Sequence, residues 1–238
     1  LLYLGHWKAR KAVFELLDKM ITEFDIDWIR YDFNTDPLAK WAMLEGPEEK
    51  GLFQIRHING LYEVLDKLME RHPDLLIEQC SGGGRRIDLE TIRRGHTFWK
   101  SDQTADRDIM RFHSVGGNIF LPGGLLNMNL GPFESPCEAI SLLGGPLGFS
   151  LDLRALSPER KELLKKVIQV YKKVRALINE DYWPLFPQTK DLNHWIGLEF
   201  VRENGLEGLF IVYRPSSSPY ALSLIHISEP TRLGMISY

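Results

Sequence analysis

The chain has 238 residues, 44% hydrophobic and 26% charged, which suits one soluble domain of barrel size or a domain and a half with a sizeable core. A net charge of −3 with both signs mixed along the sequence argues against a nucleic-acid surface, and nothing reads as a membrane span or as disorder, so the expected partner is small and uncharged. Cys80 and Cys137 are the two cysteines, without a Cys-x-x-Cys pair or histidines at ligand spacing, so the pattern supports neither a zinc site nor a disulfide framework.

The opening Leu1-Leu-Tyr-Leu-Gly-His6 lacks an initiator Met and reads as a loop entering a helix. An N-terminal part is expected to be missing, so no signal peptide can be sought and localisation stays open, with the cytoplasm favoured. Residues 7–24 carry Val13, Leu16, Leu17, Met20, Ile21 and Phe24 near a 3.6 period, which predicts an amphipathic helix. A short strand over 26–33 follows, then a polar stretch with Pro and Gly over 34–51 that reads as a long loop or lid. Ile58, Leu61, Leu65 and Leu68 predict a helix over 57–71, stopped by Pro73 before a strand at 75–80.

Next come a short helix at 88–94, a strand at 97–101, a helix near 105–114, a strand at 118–121 and a loop through Gly123 and Gly124. A helix at 134–143, the strand-like Pro146-Leu-Gly-Phe-Ser150 and a long helix over 157–178 complete the run. Short strands alternating with helices are the mark of βα units feeding a parallel sheet. The expected fold class is therefore α/β, a partial (β/α)8 TIM-type barrel from about the third helix to the eighth, over residues 1–182. From Trp195 the apolar period becomes two, through Ile196, Leu198, Phe200 and then Leu209, Ile211, Tyr213 about Glu203-Asn-Gly205, which predicts the start of a C-terminal antiparallel β domain over 183–221. Residues 222–238 do not continue that alternation and read as a non-native, adapter-derived tail.

Three strand ends present polar chemistry. Trp28-Ile-Arg-Tyr-Asp-Phe-Asn34 and Trp99-Lys-Ser-Asp102 each close an apolar run with a carboxylate, and Cys80-Ser-Gly-Gly-Gly-Arg-Arg86 closes the run between them. A retaining glycosidase needs one ionised carboxylate about 5 to 5.5 Å from a second that is protonated. Arg30 shares a face of its strand with Asp32, so its charge would favour ionised Asp32 and nucleophile behaviour; the alternative is an Asp that caps the next loop. Asp102 could be the general acid, or simply the N-cap of the helix that follows.

The glycine run has three readings: a phosphate cradle, a place where a neutral sugar lies against the backbone with Arg85 or Arg86 on its hydroxyls, or a tight turn. Trp41 and Trp99 could each stack on a pyranose or pack in the core. His57, His96 and His113 share no ligand spacing and read as structural or surface residues.

These segments resemble the retaining α-galactosidases of glycoside hydrolase family 36, in the melibiase clan. Arg30-Tyr-Asp-Phe-Asn34 is similar to the family's Lys-Trp-Asp-Met-Asn, Cys80-Ser-Gly-Gly-Gly-Arg-Arg-Ile-Asp88 to its Cys-Ser-Gly-Gly-Gly-Gly-Arg-Phe-Asp, and Trp99-Lys-Ser-Asp-Gln-Thr-Ala105 to its Trp-Thr-Ser-Asp-Asp-Thr-Asp, in the same order over about residues 1–215. The resemblance implies Asp32 as nucleophile and Asp102 as acid/base, with Arg30, Asn34, Cys80, Gly82 and Gly83 around the galactose; Arg85 and Trp99 join them as candidate sugar contacts. It also implies no metal or organic cofactor, and an α-galactoside oligosaccharide or glycoconjugate as partner, with no nucleic acid, no membrane and homo-oligomerisation left open. Arg30 stands where the family has Lys, Arg85 where it has a fourth Gly, and the family's upstream Asp-Asp-Gly-Trp segment is not found. Two rivals stand beside this reading: a non-catalytic carbohydrate-binding barrel and a barrel enzyme acting on a phosphosugar.

Overall fold

The computed structural model describes residues 2–103, 106–133, 135, 139, 144–215, 217–220 and 235–236. The chain divides into two compact units, Leu1–Phe98 and Trp99–Tyr238.

In the first unit, helix α1 (Trp7–Phe24) starts where the His6 ring accepts the Lys8 N–H and ends at Asp25, whose φ of 51° turns the chain out of the helix. Strand β1 (Trp28–Asp32), helices α2 (Leu38–Leu44) and α3 (Leu52–Arg71), strand β2 (Leu76–Cys80), the short helix α4 (Leu89–Ile92) and strand β3 (Thr97–Phe98) follow. The three strands form one parallel sheet in the order β1-β2-β3. Side chains alternate across it. Ile29, Tyr31 and Ile77 join Ile21, Leu61, Val64, Leu65, Leu68 and Leu75 in the core beneath α1 and α3, which leaves Arg30, Asp32, Glu78 and Cys80 on the opposite face. Fully buried Leu65, Leu68 and Ile77 contribute about 1.5 to 3 kcal/mol each by leaving water. Gly60 is fixed by a close approach, since a Cβ there would stand 2.0 Å from the Leu4 carbonyl oxygen.

The loop expected over 34–51 contains α2, whose Trp41 is buried against His57 with ring centroids 5.5 Å apart. His57 is itself buried and accepts the Leu4 N–H on Nδ1, and burial lowers its pKa. Trp41 is therefore core rather than a sugar platform.

The second unit holds helix α5 (Arg107–Asn118), strands β4 (Met128–Leu130) and β5 (Leu147–Phe149), helix α6 (Pro158–Val174) and strands β6 (Asp181–Pro184), β7 (Ile196–Val201), β8 (Gly208–Tyr213) and β9 (Met235–Ile236). Strands β4 and β5 pair in parallel; β6, β7 and β8 form an antiparallel sheet, with β9 parallel to β8 at its edge. Helix α6 begins at a Ser157 cap with Pro158 in its first turn, a position where the missing N–H of proline is harmless. Leu164 and Val167 of α6 pack with Met110, Met128 and Leu130, while Phe112 and Val115 of α5 pack on Ile196, Leu198, Phe200, Leu209 and Ile211 of the antiparallel sheet.

The expected strand at 118–121 is not there. Helix α5 runs on to Asn118, Ile119 and Phe120 are exposed in a turn, and the buried strand is Met128–Leu130. Gly116 and Gly117, poor helix formers, sit inside α5 because a Cβ on Gly117 would come within 2.6 Å of the Leu126 side chain, so packing overrides propensity. Strand β6 was not anticipated, being four residues long and ending on a proline. Most of the expected helix at 134–143 and of the expected tail at 222–238 lies outside the described residues; of the helix the structure describes Ser135 and Ala139, and of the tail Met235–Ile236.

Candidate active site

Parallel pairing places Arg30 level with Glu78 and Asp32 level with Cys80, so the last residues of β1 and β2 bring a carboxylate and a thiol side by side. Arg30 joins the two strands: Nη1 donates to Glu78 Oε1 at 2.5 Å, Nη2 donates to Cys80 Sγ at 3.1 Å, and Nη2 stands 3.8 Å from Asp32 Oδ2. Burial, with the neighbouring Asp32 adding to it, pushes the Cys80 thiol up to about 11, so the group is a neutral hydrogen-bonding thiol at neutral pH rather than a nucleophile. Asp32 Oδ2 accepts from Asn34 Nδ2 at 3.0 Å. Among the described residues no backbone N–H donates to Asp32, so the loop-capping alternative has no support.

Asn34 reaches in two directions. Its Oδ1 accepts the Gly82 N–H at 2.6 Å, tying the loop after β1 to the glycine turn after β2. Gly82 and Gly83 have φ of 51° and 81°, where a side chain is strained, and the Gly83 carbonyl accepts the Ser81 N–H at 3.1 Å. Ser81 Oγ donates to the Phe33 carbonyl at 2.7 Å, and the Arg86 guanidinium lies 4.2 Å over the Phe33 ring. Arg85 is exposed and flanks the turn, its Nε 3.5 Å from where a Gly82 Cβ would stand. A phosphate cradle is disfavoured: Asn34 takes the Gly82 N–H, and Asp88 caps the four-residue helix α4, accepting the Thr91 N–H at 2.9 Å.

Asp102 lies in the second unit, four residues beyond β3. Its Oδ1 accepts from the half-buried Trp99 indole Nε1 at 2.8 Å, and the carboxylate is exposed. It does not cap a helix. The cap of α5 is Asp106, whose side chain accepts the Ile109 N–H at 3.0 Å.

Thus Arg30, Asp32, Asn34, Cys80 and Gly82 are drawn into one hydrogen-bonded group, Gly83 joins through Ser81, Arg85 stands on its outer side, and Trp99 pairs with Asp102 separately. Sequence reasoning missed two residues. Glu78 was hidden in Leu75-Leu-Ile-Glu-Gln79, yet its period-two relation to Cys80 puts it on the polar face. Lys100, between Trp99 and Asp102, turns into the second unit's interior, with Nζ donating to Ser114 Oγ at 2.8 Å and to Met128 Sδ. Desolvation alone lowers its pKa from 10.5 to about 7. Among the described residues no group of three or more His, Cys, Asp or Glu could hold a metal ion, and no helix is long and apolar enough to cross a membrane.

Comparison with known proteins meets this geometry. The family model described as Melibiase matches residues 1–122, which contain both strand ends and the Trp99–Asp102 pair. The chain belongs to the Melibiase family. Among Melibiase-type relatives, α-galactosidase 1 of Pediococcus pentosaceus is 29% identical over 228 residues, covering 91% of this chain and 31% of the relative. The bifunctional α-galactosidase/sucrose kinase AgaSK of Mediterraneibacter gnavus is 26% identical over 210 residues, 84% of this chain and 22% of its own length. The chain thus spans less than a third of these relatives. The α-galactosidase AgaA of Geobacillus stearothermophilus, of glycoside hydrolase family 36, superposes with a TM-score of 0.82 at 21% identity over 96% of this chain and 33% of that one, a likeness of fold. Variants of AgaA have been solved with 1-deoxygalactonojirimycin, raffinose and stachyose. The Melibiase chain therefore has an α/β fold like that of a family 36 galactosidase, with an antiparallel sheet in its C-terminal part.

Proposed function

We propose that this chain carries the catalytic carboxylates of a retaining α-galactosidase, with β1 to β5 and their helices forming part of a (β/α)8 barrel over residues 1–182 and the antiparallel sheet opening a C-terminal β domain. The observation that carries the reading is Asp32 at the end of β1, level with Cys80, hydrogen-bonded to Asn34 at 3.0 Å and 3.8 Å from the Arg30 guanidinium. A carboxylate beside a guanidinium, at the mouth of a parallel sheet and next to a glycine turn with no side chains, can meet a sugar ring closely. The α-galactosidase names of the relatives and their raffinose and stachyose complexes point to an α-galactoside as the substrate.

In this mechanism an Asp32 oxygen attacks the anomeric carbon while Asp102 gives its proton to the departing glycosidic oxygen, so the C–O bond to the aglycone breaks as the ester to Asp32 forms. Asp102, now a carboxylate, takes a proton from water, whose oxygen displaces Asp32 and releases galactose. The Trp99 indole holds Asp102 Oδ1, which leaves Oδ2 to carry the proton. Cys80, Asn34 and the Gly82–Gly83 turn shape the ring pocket, with Arg30 and Arg85 as charged hydrogen-bond donors. The reading requires Asp32 and Asp102 to meet at about 5 to 5.5 Å.

The test is a 2-deoxy-2-fluoro galactosyl donor, which forms the ester but releases it slowly. Peptide mass analysis is expected to place one label on the peptide containing Asp32, and none in Asp32→Asn. A label on another residue, or inversion of configuration in the released sugar, would refute the assignment.

A further inference from the structure

The mechanism above uses Asp32 and Arg30 and gives Glu78 no task. Glu78 is 8% exposed, and a carboxylate so far from water needs a cation beside it. Arg30 Nη1 supplies one at 2.5 Å. The other edge of the same guanidinium faces Cys80 Sγ at 3.1 Å and stops 3.8 Å from Asp32 Oδ2, well beyond the roughly 2.7 to 2.9 Å of a closed charge-assisted bond. The register explains the asymmetry: Glu78 is directly across from Arg30 on the neighbouring strand, whereas Asp32 is two residues further along the same strand. One guanidinium stands between two carboxylates and is pinned to the buried one.

We infer that Glu78 is a positioning residue, whose charge holds Arg30 off Asp32 so that the Asp32 carboxylate stays open to a positive centre on a bound ligand. This rests on the reading of Asp32 as the nucleophile. The transition state of glycoside cleavage is oxocarbenium-like, with positive charge at the anomeric carbon. An Asp32 locked in a closed pair with Arg30 would meet that charge already compensated. Arginine suits the task because its planar fork satisfies two partners at once, which a lysine ammonium does with less directional control. Without the Glu78 charge, the pull that opposes the attraction of Arg30 for Asp32 from across the strand gap is removed, and the 3.8 Å gap is expected to shorten.

Calorimetric titration of the 238-residue chain with 1-deoxygalactonojirimycin, whose protonated ring nitrogen mimics that charge, and with neutral galactose tests the inference. Glu78→Gln is expected to lower affinity for the iminosugar relative to galactose by about tenfold, as loss of one partner in a close charge cluster does. Glu78→Asp, which keeps the anchoring charge, is expected to hold the ratio within about threefold. A merely structural role would lower thermal stability and both affinities together, leaving the ratio unmoved. An unchanged ratio in Glu78→Gln with both ligands still bound overturns this inference alone. Should Glu78→Gln not fold, a tenfold fall in Glu78→Asp overturns it. A wild-type chain that binds neither ligand overturns the reading of the site and this inference with it.

Discussion

Lys100→Met is expected to stabilise the second unit, and to do so in a pH-dependent way. In the folded chain Nζ sits among Ser114 Oγ and Met128 Sδ, no carboxylate among the described residues pairs with it, and desolvation lowers its pKa from 10.5 to about 7. Between those two values the unfolded chain holds a proton that the folded chain lacks, so stability rises with pH from about 7 to about 10.5 and levels off above. Below about 7 both states are protonated and the fold carries the full cost of a desolvated ammonium. At roughly 1.4 kcal/mol per pH unit the ceiling is about 5 kcal/mol, and the partial exposure of the residue reduces it to about 2 to 3 kcal/mol. His113, lowered first by burial and then by the Lys100 charge, adds a rise of the same sign below its ordinary value of 6.5. Met has the length and flexibility to fill the same channel beside Met110 and Met128 without a charge. Urea unfolding followed by circular dichroism at pH 6.5, 8 and 10 is the assay. The variant should exceed wild type by about 2 kcal/mol or more at pH 6.5, with the gap narrowing toward pH 10. A gap that is constant with pH, or a destabilised variant at pH 6.5, would refute the argument that an unpaired ammonium is buried there.

Two further substitutions probe other features. Gly82→Ala is expected to cost about 1 kcal/mol by urea midpoint, because φ is 51° there while the added Cβ meets only ordinary contact at 3.5 Å from Arg85, so a loss of several kcal/mol would show a steric role instead. Glu199 on β7 is fully buried, neither carboxylate oxygen has a hydrogen-bond partner among the described residues, and burial raises its pKa. Its fold contribution is therefore lost as pH rises above the usual glutamate range, so Glu199→Met should melt a few degrees above wild type at pH 8 and converge with it near pH 4.5, which differential scanning calorimetry can check.

What the sequence disclosed depended on whether a residue's task was local. Helix α1 was readable to the residue, because its apolar side chains keep a 3.6 period and no glycine or proline interrupts it before Asp25. The ends of β1 and β2 were readable because a charge at the close of an apolar run has one sensible place to go, and the shared face of Arg30 and Asp32 followed from strand parity. Other features were set by partners far along the chain. The helix expected near 105–114 stops short of Gly116 and Gly117, which fit inside α5 because Leu126 lies against Gly117, and β6 needs β7 beside it before four residues become a strand. Glu78 needed only the parity rule, applied backward from Cys80.

Two of the cations that depart from the family's motifs, Arg30 and Lys100, show why a substituted side chain can be tolerated in opposite ways. Arg30 replaces a lysine on the polar face of the sheet, where Glu78 across the strand gap balances it and Asp32 lies within 3.8 Å, so the new side chain is absorbed by charges already in the site. Lys100 stands two residues before Asp102, where the family's motif has a threonine and where an ammonium directed toward Asp102 would pair with that carboxylate. The chain instead sends it toward α5 and β4, where hydroxyl and thioether partners let a neutral amine survive. One departure is neutralised by pairing and the other by losing its proton. The second is the costlier in stability, and it keeps a full positive charge away from Asp102, which in the proposed mechanism must both give and take a proton.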